Sequence, residues 1–207
     1  MTHPAVCQAA SLLLQYPDTS WNSRLETVRT ALTAWGAPEA EPLLRFCARV
    51  DRSPETEFAA RYVATFDRSR RRTLHLTYYT DGDTRRRGMS LADLKARYRA
   101  HGWACPPDEL PDFLPTVLEF TARCPGPGQD ILLAHRAGIA LLGHALEAFH
   151  SPYADVVRAV DATLPGAGPA DRRAALALAR TGPPVETVGL EPFAAGGVTP
   201  PTEGARR

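Results

Sequence analysis

Apolar residues recur at three- and four-residue steps along nearly the whole chain, a period that builds helices and not strands. Leu25, Val28, Leu32 and Trp35 share one stripe of a stretch from about Trp21 to Trp35, and Gly36 is placed to cap its end. Val6–Leu14 is a shorter apolar stretch, stopped by Tyr16-Pro17-Asp18. Leu43, Leu44, Cys47 and Val50 mark a third, from about Glu39 to Arg52. Ser53-Pro54-Glu55-Thr56-Glu57 carries helix-start signals: a capping serine, a proline suited to the first position and two acids at the positive dipole end. Phe58, Tyr62, Val63 and Phe66 then form an apolar face. Further helices are predicted over about 90–101, 112–123, 152–164 and 169–180. Asp130 is expected to cap one long helix reaching Phe149, apolar on most of its circumference and therefore central and most buried. Leu74–Tyr79 alternates weakly, compatible with extended chain, while Asp81-Gly82-Asp83 reads as a turn and Pro125-Gly126-Pro127-Gly128 as a loop. The expected fold is all-α: a single helical bundle of about eight or nine helices over residues 1–182. A Pro/Gly-rich tail, 183–207, is expected to be mobile, although Val185–Phe193 is apolar enough to dock on the body or on a neighbouring molecule.

At 207 residues and 44% apolar content, the chain can build one substantial core. A net charge of +1 points to no polyanionic partner. The charge is uneven, though: ten of the 24 basic residues lie between Arg68 and Arg99, and Lys95 is the only lysine in the chain. Cys7, Cys47, Cys105 and Cys124 form no CxxC pair and match no zinc spacing. Cys7 and Cys47 fall on helical stripes, as small core residues do in a reducing compartment. The N-terminus lacks the order of a signal peptide. The apolar run Ile131–Phe149 is interrupted by His135, Arg136, His144 and Glu147, which argues against direct membrane insertion. A cytoplasmic location is expected.

Nothing in the sequence assembles a reaction centre. HExxH, GxSxG, the P-loop and GxGxxG are all missing. His135 and His144, nine residues apart on one predicted helix, would point to roughly opposite faces and could not share a metal. Glu55 and Glu57, or Asp108 and Glu109, sit at helix starts, where the dipole explains them. No catalytic residue and no metal ligand is expected. The triplets Arg70–Arg72 and Arg85–Arg87 resemble a nucleic-acid patch only superficially, since acids such as Asp67, Asp81, Asp83 and Asp93 accompany them. Arginines of this kind also suit an acidic peptide or a phosphate-bearing cofactor. Aromatic residues interleave with them, as in grooves that accept an amphipathic helix, although each aromatic taken alone fits the core better than a groove.

The segment TFDRSRRRTLHLTYYTDGDTRRRGMSLADLKARYRAHGW, followed by ELPDFLPTVLEF, resembles the NarJ family, the nitrate reductase branch of the TorD/DmsD chaperone superfamily. The opening SLLLQYPD and the closing GPPVETVGLEPF are similar to that family as well, so the resemblance runs along most of the chain. It implies an all-helical, cytoplasmic, non-enzymatic chaperone that binds the N-terminal segment of the catalytic α subunit of respiratory nitrate reductase. It also implies that the apoenzyme is kept competent for molybdenum cofactor insertion and membrane assembly. No cofactor is expected to be held permanently; contact with the molybdenum cofactor would run through the client enzyme, with proteins of cofactor biosynthesis as further candidate partners. The superfamily's E-x-P-D-H stretch stands here as Glu109-Leu110-Pro111-Asp112-Phe113, with phenylalanine in the histidine position. The expected peptide-binding residues are Tyr62, Phe66, Asp67, Tyr78, Tyr79, Arg85, Arg87, Tyr98, Glu109, Asp112 and Phe113. Asp112 is expected either to cap the helix that begins beside it or to pair with an arginine of the basic segment. The alternatives are a chaperone for another molybdoenzyme or for a twin-arginine signal peptide, and, in a different class, a small helical enzyme or cofactor carrier.

Overall fold

In the computed structural model, residues 3–51, 54–182 and 184 are described. They form eleven α-helices: α1 Pro4–Leu13, α2 Trp21–Trp35, α3 Glu41–Val50, α4 Glu55–Phe66, α5 Leu76–Asp81, α6 Arg85–Ala100, α7 Leu114–Arg123, α8 Pro125–Ala134, α9 Arg136–Ala148, α10 Tyr153–Ala162 and α11 Pro169–Thr181. Two 3-10 turns, Pro38–Ala40 and Arg70–Arg72, link neighbouring helices. The only pairing between extended segments among the described residues is an isolated antiparallel bridge of His75 with Phe113. The all-α bundle is as expected.

Most helices sit where the apolar period puts them. α2 buries Trp21, Leu25, Val28 and Leu32 and ends on Gly36 in the left-handed conformation, φ 65°. Pro54 precedes α4 instead of opening it, and the expected serine cap at Ser53 lies outside the described residues. The mobility expected of the tail also falls outside them, Pro184 apart.

Three expectations are corrected. The weakly alternating stretch is not extended: Leu76–Asp81 is the short helix α5. Pro125–Gly128 is not a loop but the first turn of α8, where prolines are tolerated because the first amides have no intrahelical partner. The run 131–149 is not one helix. It breaks at His135 into α8 and α9, which are bent by 70°, and Asp130 lies inside α8 instead of capping it. The bend lets each half follow a different neighbour: α8 packs on α7, and α9 on α10 and α11. At the break Arg136 is buried, its guanidinium donating to the Pro165 carbonyl and standing 3.7 Å from Asp161.

The most enclosed helix is α7, with Leu114, Val117, Leu118 and Phe120 fully buried; it packs chiefly on α1. Gly128 of α8 approaches α7 so closely that a Cβ there would stand 2.4 Å from the Thr121 Cα. Trp21, Phe46, Phe58, Tyr62, Phe66 and Tyr153 form one continuous ring cluster, with Phe66 and Tyr153 centroids 4.8 Å apart. A second cluster joins Tyr98, Trp103 and Phe120. No single helix among the described residues is long and apolar enough to cross a membrane.

Candidate functional site

The bridge between residues 75 and 113 is the structural hinge of the site. Leu76 donates its amide to the Asp112 carbonyl at 3.0 Å, and Leu114 donates to the Leu74 carbonyl at 2.8 Å. This draws the entrances of α5 and α7 together and seals Asp112 completely from solvent. One carboxylate oxygen stands 3.1 Å from His75 Nδ1. The other accepts the Thr77 hydroxyl at 2.5 Å, the Thr77 amide at 3.2 Å and the Arg87 guanidinium at 3.4 Å. Arg87 Nε also donates to the Thr77 hydroxyl at 3.2 Å. Burial by itself would raise the Asp112 pKa; hydrogen bonds from His75 and Thr77, with the charges of His75 and Arg87, outweigh it and hold the carboxyl below the ordinary carboxylate range.

Of the two roles expected for Asp112, the structure has the arginine pair and not the cap. Phe113 occupies the N-cap position of α7, and no side chain caps that helix. His75 and Thr77 were not singled out by sequence. Their only signal is that they lie within the HLTYY stretch next to the basic segment.

The other expected residues separate into groups. Tyr98 is fully buried and donates its hydroxyl to the Pro111 carbonyl at 2.6 Å, which fixes the connector leading to Asp112. Tyr62 donates to the Leu14 carbonyl at 3.0 Å, and its ring lies against Phe66. Tyr62, Phe66 and Tyr98 therefore support the site from within the core. Tyr79 is anchored to the Thr73 carbonyl at 3.0 Å, with one edge open to a groove that Tyr78 also lines. Asp67 and Arg85 occupy exposed positions. Glu109 and Phe113 reach a second groove.

That second groove, a cavity of about 380 Å³, lies between the end of α1 and the 106–116 stretch. Tyr16, Pro106, Phe113 and Pro115 give it apolar walls; Asp18, Glu109 and Glu119 give it an acidic rim. Asp18 is 3.5 Å from Arg24, and Glu119 is 3.0 Å from Arg123. Tyr16 is half exposed and meets Tyr62 edge-on at 5.4 Å. Phe113 packs on His75 at 5.5 Å. The groove wall is thus continuous with the Asp112 bonds on one side and the ring cluster on the other. Tyr16 and Pro106 carry no spacing signal that would have marked them.

Among the described residues no group of three or more His, Cys, Asp or Glu is placed to hold a metal. Burial pushes the Cys7 thiol up to about 12 and the Cys47 thiol to about 11, which removes both as nucleophiles. What the geometry offers is a preformed apolar slot with charged edges on a rigid support. Slots of this form suit amphipathic segments.

Residues 31–159 match the family model described as nitrate reductase delta subunit. The chain belongs to this family. Several members are similar along most of the matched region. The protein named nitrate reductase-like protein NarX of Mycobacterium tuberculosis is 44% identical over 156 residues, which is 75% of this chain and 24% of that protein. The chain therefore spans about a quarter of that relative. The Bacillus subtilis member, named probable nitrate reductase molybdenum cofactor assembly chaperone NarJ, is 32% identical over 162 residues, or 77% of this chain and 88% of that one. The Escherichia coli NarJ, a nitrate reductase molybdenum cofactor assembly chaperone by name, is 34% identical over 118 residues, covering 56% and 50% of the two chains. The family match includes both the Asp112 bonds and Phe113.

Proposed function

We propose that this chain is a cytoplasmic assembly chaperone for respiratory nitrate reductase, binding the N-terminal segment of the unfinished catalytic α subunit and performing no catalysis. The observation that carries this reading is the family match over 31–159, joined to a relative named as such a chaperone whose length the chain nearly spans. The groove at Phe113 suits the task. Its apolar walls can take one face of a short helix, and its acidic rim favours basic residues on that helix's flanks. Tyr16 and Phe113 are the expected anchors, and Glu109 is expected to set the register.

A chaperone must let go. A micromolar site, about −8 kcal/mol, is weak enough to reverse once the client folds. The protein's contribution is to hold the apoenzyme open and keep it from the membrane until the molybdenum cofactor is in place. The cofactor belongs to the client, and any contact with it runs through the client. The test is the molybdenum content of the α subunit purified from nitrate-respiring cells that contain or lack this chain. The proposal expects the subunit to accumulate largely without molybdenum when the chain is absent. Full molybdenum loading in its absence would refute the role.

A further inference from the structure

The proposed client groove leaves a larger groove unassigned. This cavity of about 530 Å³ lies between the Arg70–Arg72 turn, α5, α9 and α11. Its floor is Tyr78, Tyr79, Leu141 and Leu178, its edge carries Arg70, Arg71 and Arg180, and no Asp or Glu among the described residues lines it. Arg70 has Asp83 at 3.3 Å, but the two side chains are 79% and 54% exposed, so this pair neutralises little of the field. His144, also on the lining, lies 3.6 Å from Glu147. An apolar floor under a cationic edge fits an acidic, apolar stretch of extended chain.

The chain delivers such a stretch to this spot. Thr181 and Gly182, where α11 ends, are themselves part of the lining. Gly182 turns the backbone with φ 68°, and two residues later Pro184 lies against Gly82, where a Cβ would stand 1.8 Å from the Pro184 carbonyl oxygen. Gly82 in turn donates to the Tyr78 carbonyl at 2.9 Å. Pro184 is therefore held at the end of the helix that supplies Tyr78 and Tyr79. Beyond Pro184 the sequence runs Val185-Glu186-Thr187-Val188-Gly189-Leu190-Glu191-Pro192-Phe193, with two acids, four large apolar residues and no base. Extended, these residues reach up to about 30 Å, ample to cross the groove. The tether gives the segment an effective concentration on the order of millimolar.

We propose that Val185–Phe193 folds back over this groove within its own molecule, Glu186 and Glu191 on the arginine edge and Val188, Leu190 and Phe193 on the Tyr78–Leu141–Leu178 floor. This basic apolar docking surface is separate from the client groove, and the inference does not depend on the proposed function. Amide hydrogen exchange on the full chain tests it. Amides of 187–191 should exchange roughly ten-fold or more slowly than in an unstructured peptide. Glu186→Lys with Glu191→Lys should return them to the unstructured rate, as should Arg71→Glu with Arg180→Glu, and combining all four changes should restore protection. If the arginine variant fails to fold, the glutamate variant, whose changes lie beyond α11, decides alone. Exchange at the unstructured rate in the unaltered chain would overturn the proposal. So would protection that survives both charge reversals, or protection that grows with protein concentration, which would mean that a second copy supplies the segment.

Discussion

Asp112 carries more structure than any other single side chain near the site. Its carboxylate collects His75, Thr77 and Arg87 from segments 25 to 37 residues away in sequence. Replacing it by alanine leaves the buried Thr77 amide without its acceptor and takes from Arg87 its buried counter-charge, leaving it only the exposed Asp83 at 3.9 Å. The expected loss is on the order of 3 kcal/mol, read as a lower urea midpoint with an unchanged slope. An alanine here would have been tolerated if the residue merely capped a helix, so burial reverses what the motif alone suggests. Asp112→Asn keeps one acceptor oxygen, which can still face the Thr77 amide and hydroxyl while its NH2 faces His75 Nδ1, and should cost less. The sign of the pKa shift fixes the pH profile. The folded-state pKa is depressed, so the carboxylate's contribution is complete above the unfolded value of about 3.8 and disappears as pH falls through the lower folded value. Urea unfolding between pH 7 and pH 3 should show the natural chain and the Asn variant converging only at the acid end. A gap that stays constant down to pH 3 would contradict the charged role. The motif Glu109–Phe113 made Asp112 visible in the sequence, and the arginine triplets made Arg87 visible. His75 and Thr77 were not legible because a histidine and a threonine so far from Asp112 in sequence leave no periodic trace of a shared contact.

At the level of helices, the apolar period located the long, one-sided elements and failed where packing overrides it. α5 has six residues, too few to show a helical period. The break at His135 has no Pro or Gly to announce it; it exists because α8 and α9 answer to different neighbours and Arg136 is drawn to the Pro165 carbonyl. The loop reading of Pro125–Gly128 weighed composition and could not see that Gly128 is the close-approach point between α7 and α8. Gly128→Ala separates the two descriptions. In a loop the change would be neutral, and in a free helix it would gain up to about 1 kcal/mol in propensity. Against Thr121 the added methyl overpacks, and thermal unfolding should show a net loss on the order of 1–3 kcal/mol. An unchanged or raised melting temperature would contradict the close packing of α8 on α7.

Across the whole molecule, a net charge of +1 conceals two grooves of opposite character. One, at Phe113, has an acidic rim; the other, at Arg71, a basic edge. Composition could exclude a polyanion-binding surface but could not divide the surface this way, because the acids come from the α1–α2 connection, the 106–116 stretch and α7. In the proposed chaperone role the Phe113 groove takes a basic amphipathic segment. The most direct measurement is isothermal titration of the full chain with a synthetic peptide of the N-terminal segment of the nitrate reductase α subunit. The account predicts one site of about micromolar affinity. It further predicts that Phe113→Ala, at a half-buried position of the groove wall, and Glu109→Lys, at an exposed one, each weaken binding by roughly ten-fold or more, the Glu109 variant leaving the melting temperature near that of the natural chain. No binding by the natural chain, or full affinity retained in both folded variants, would contradict it.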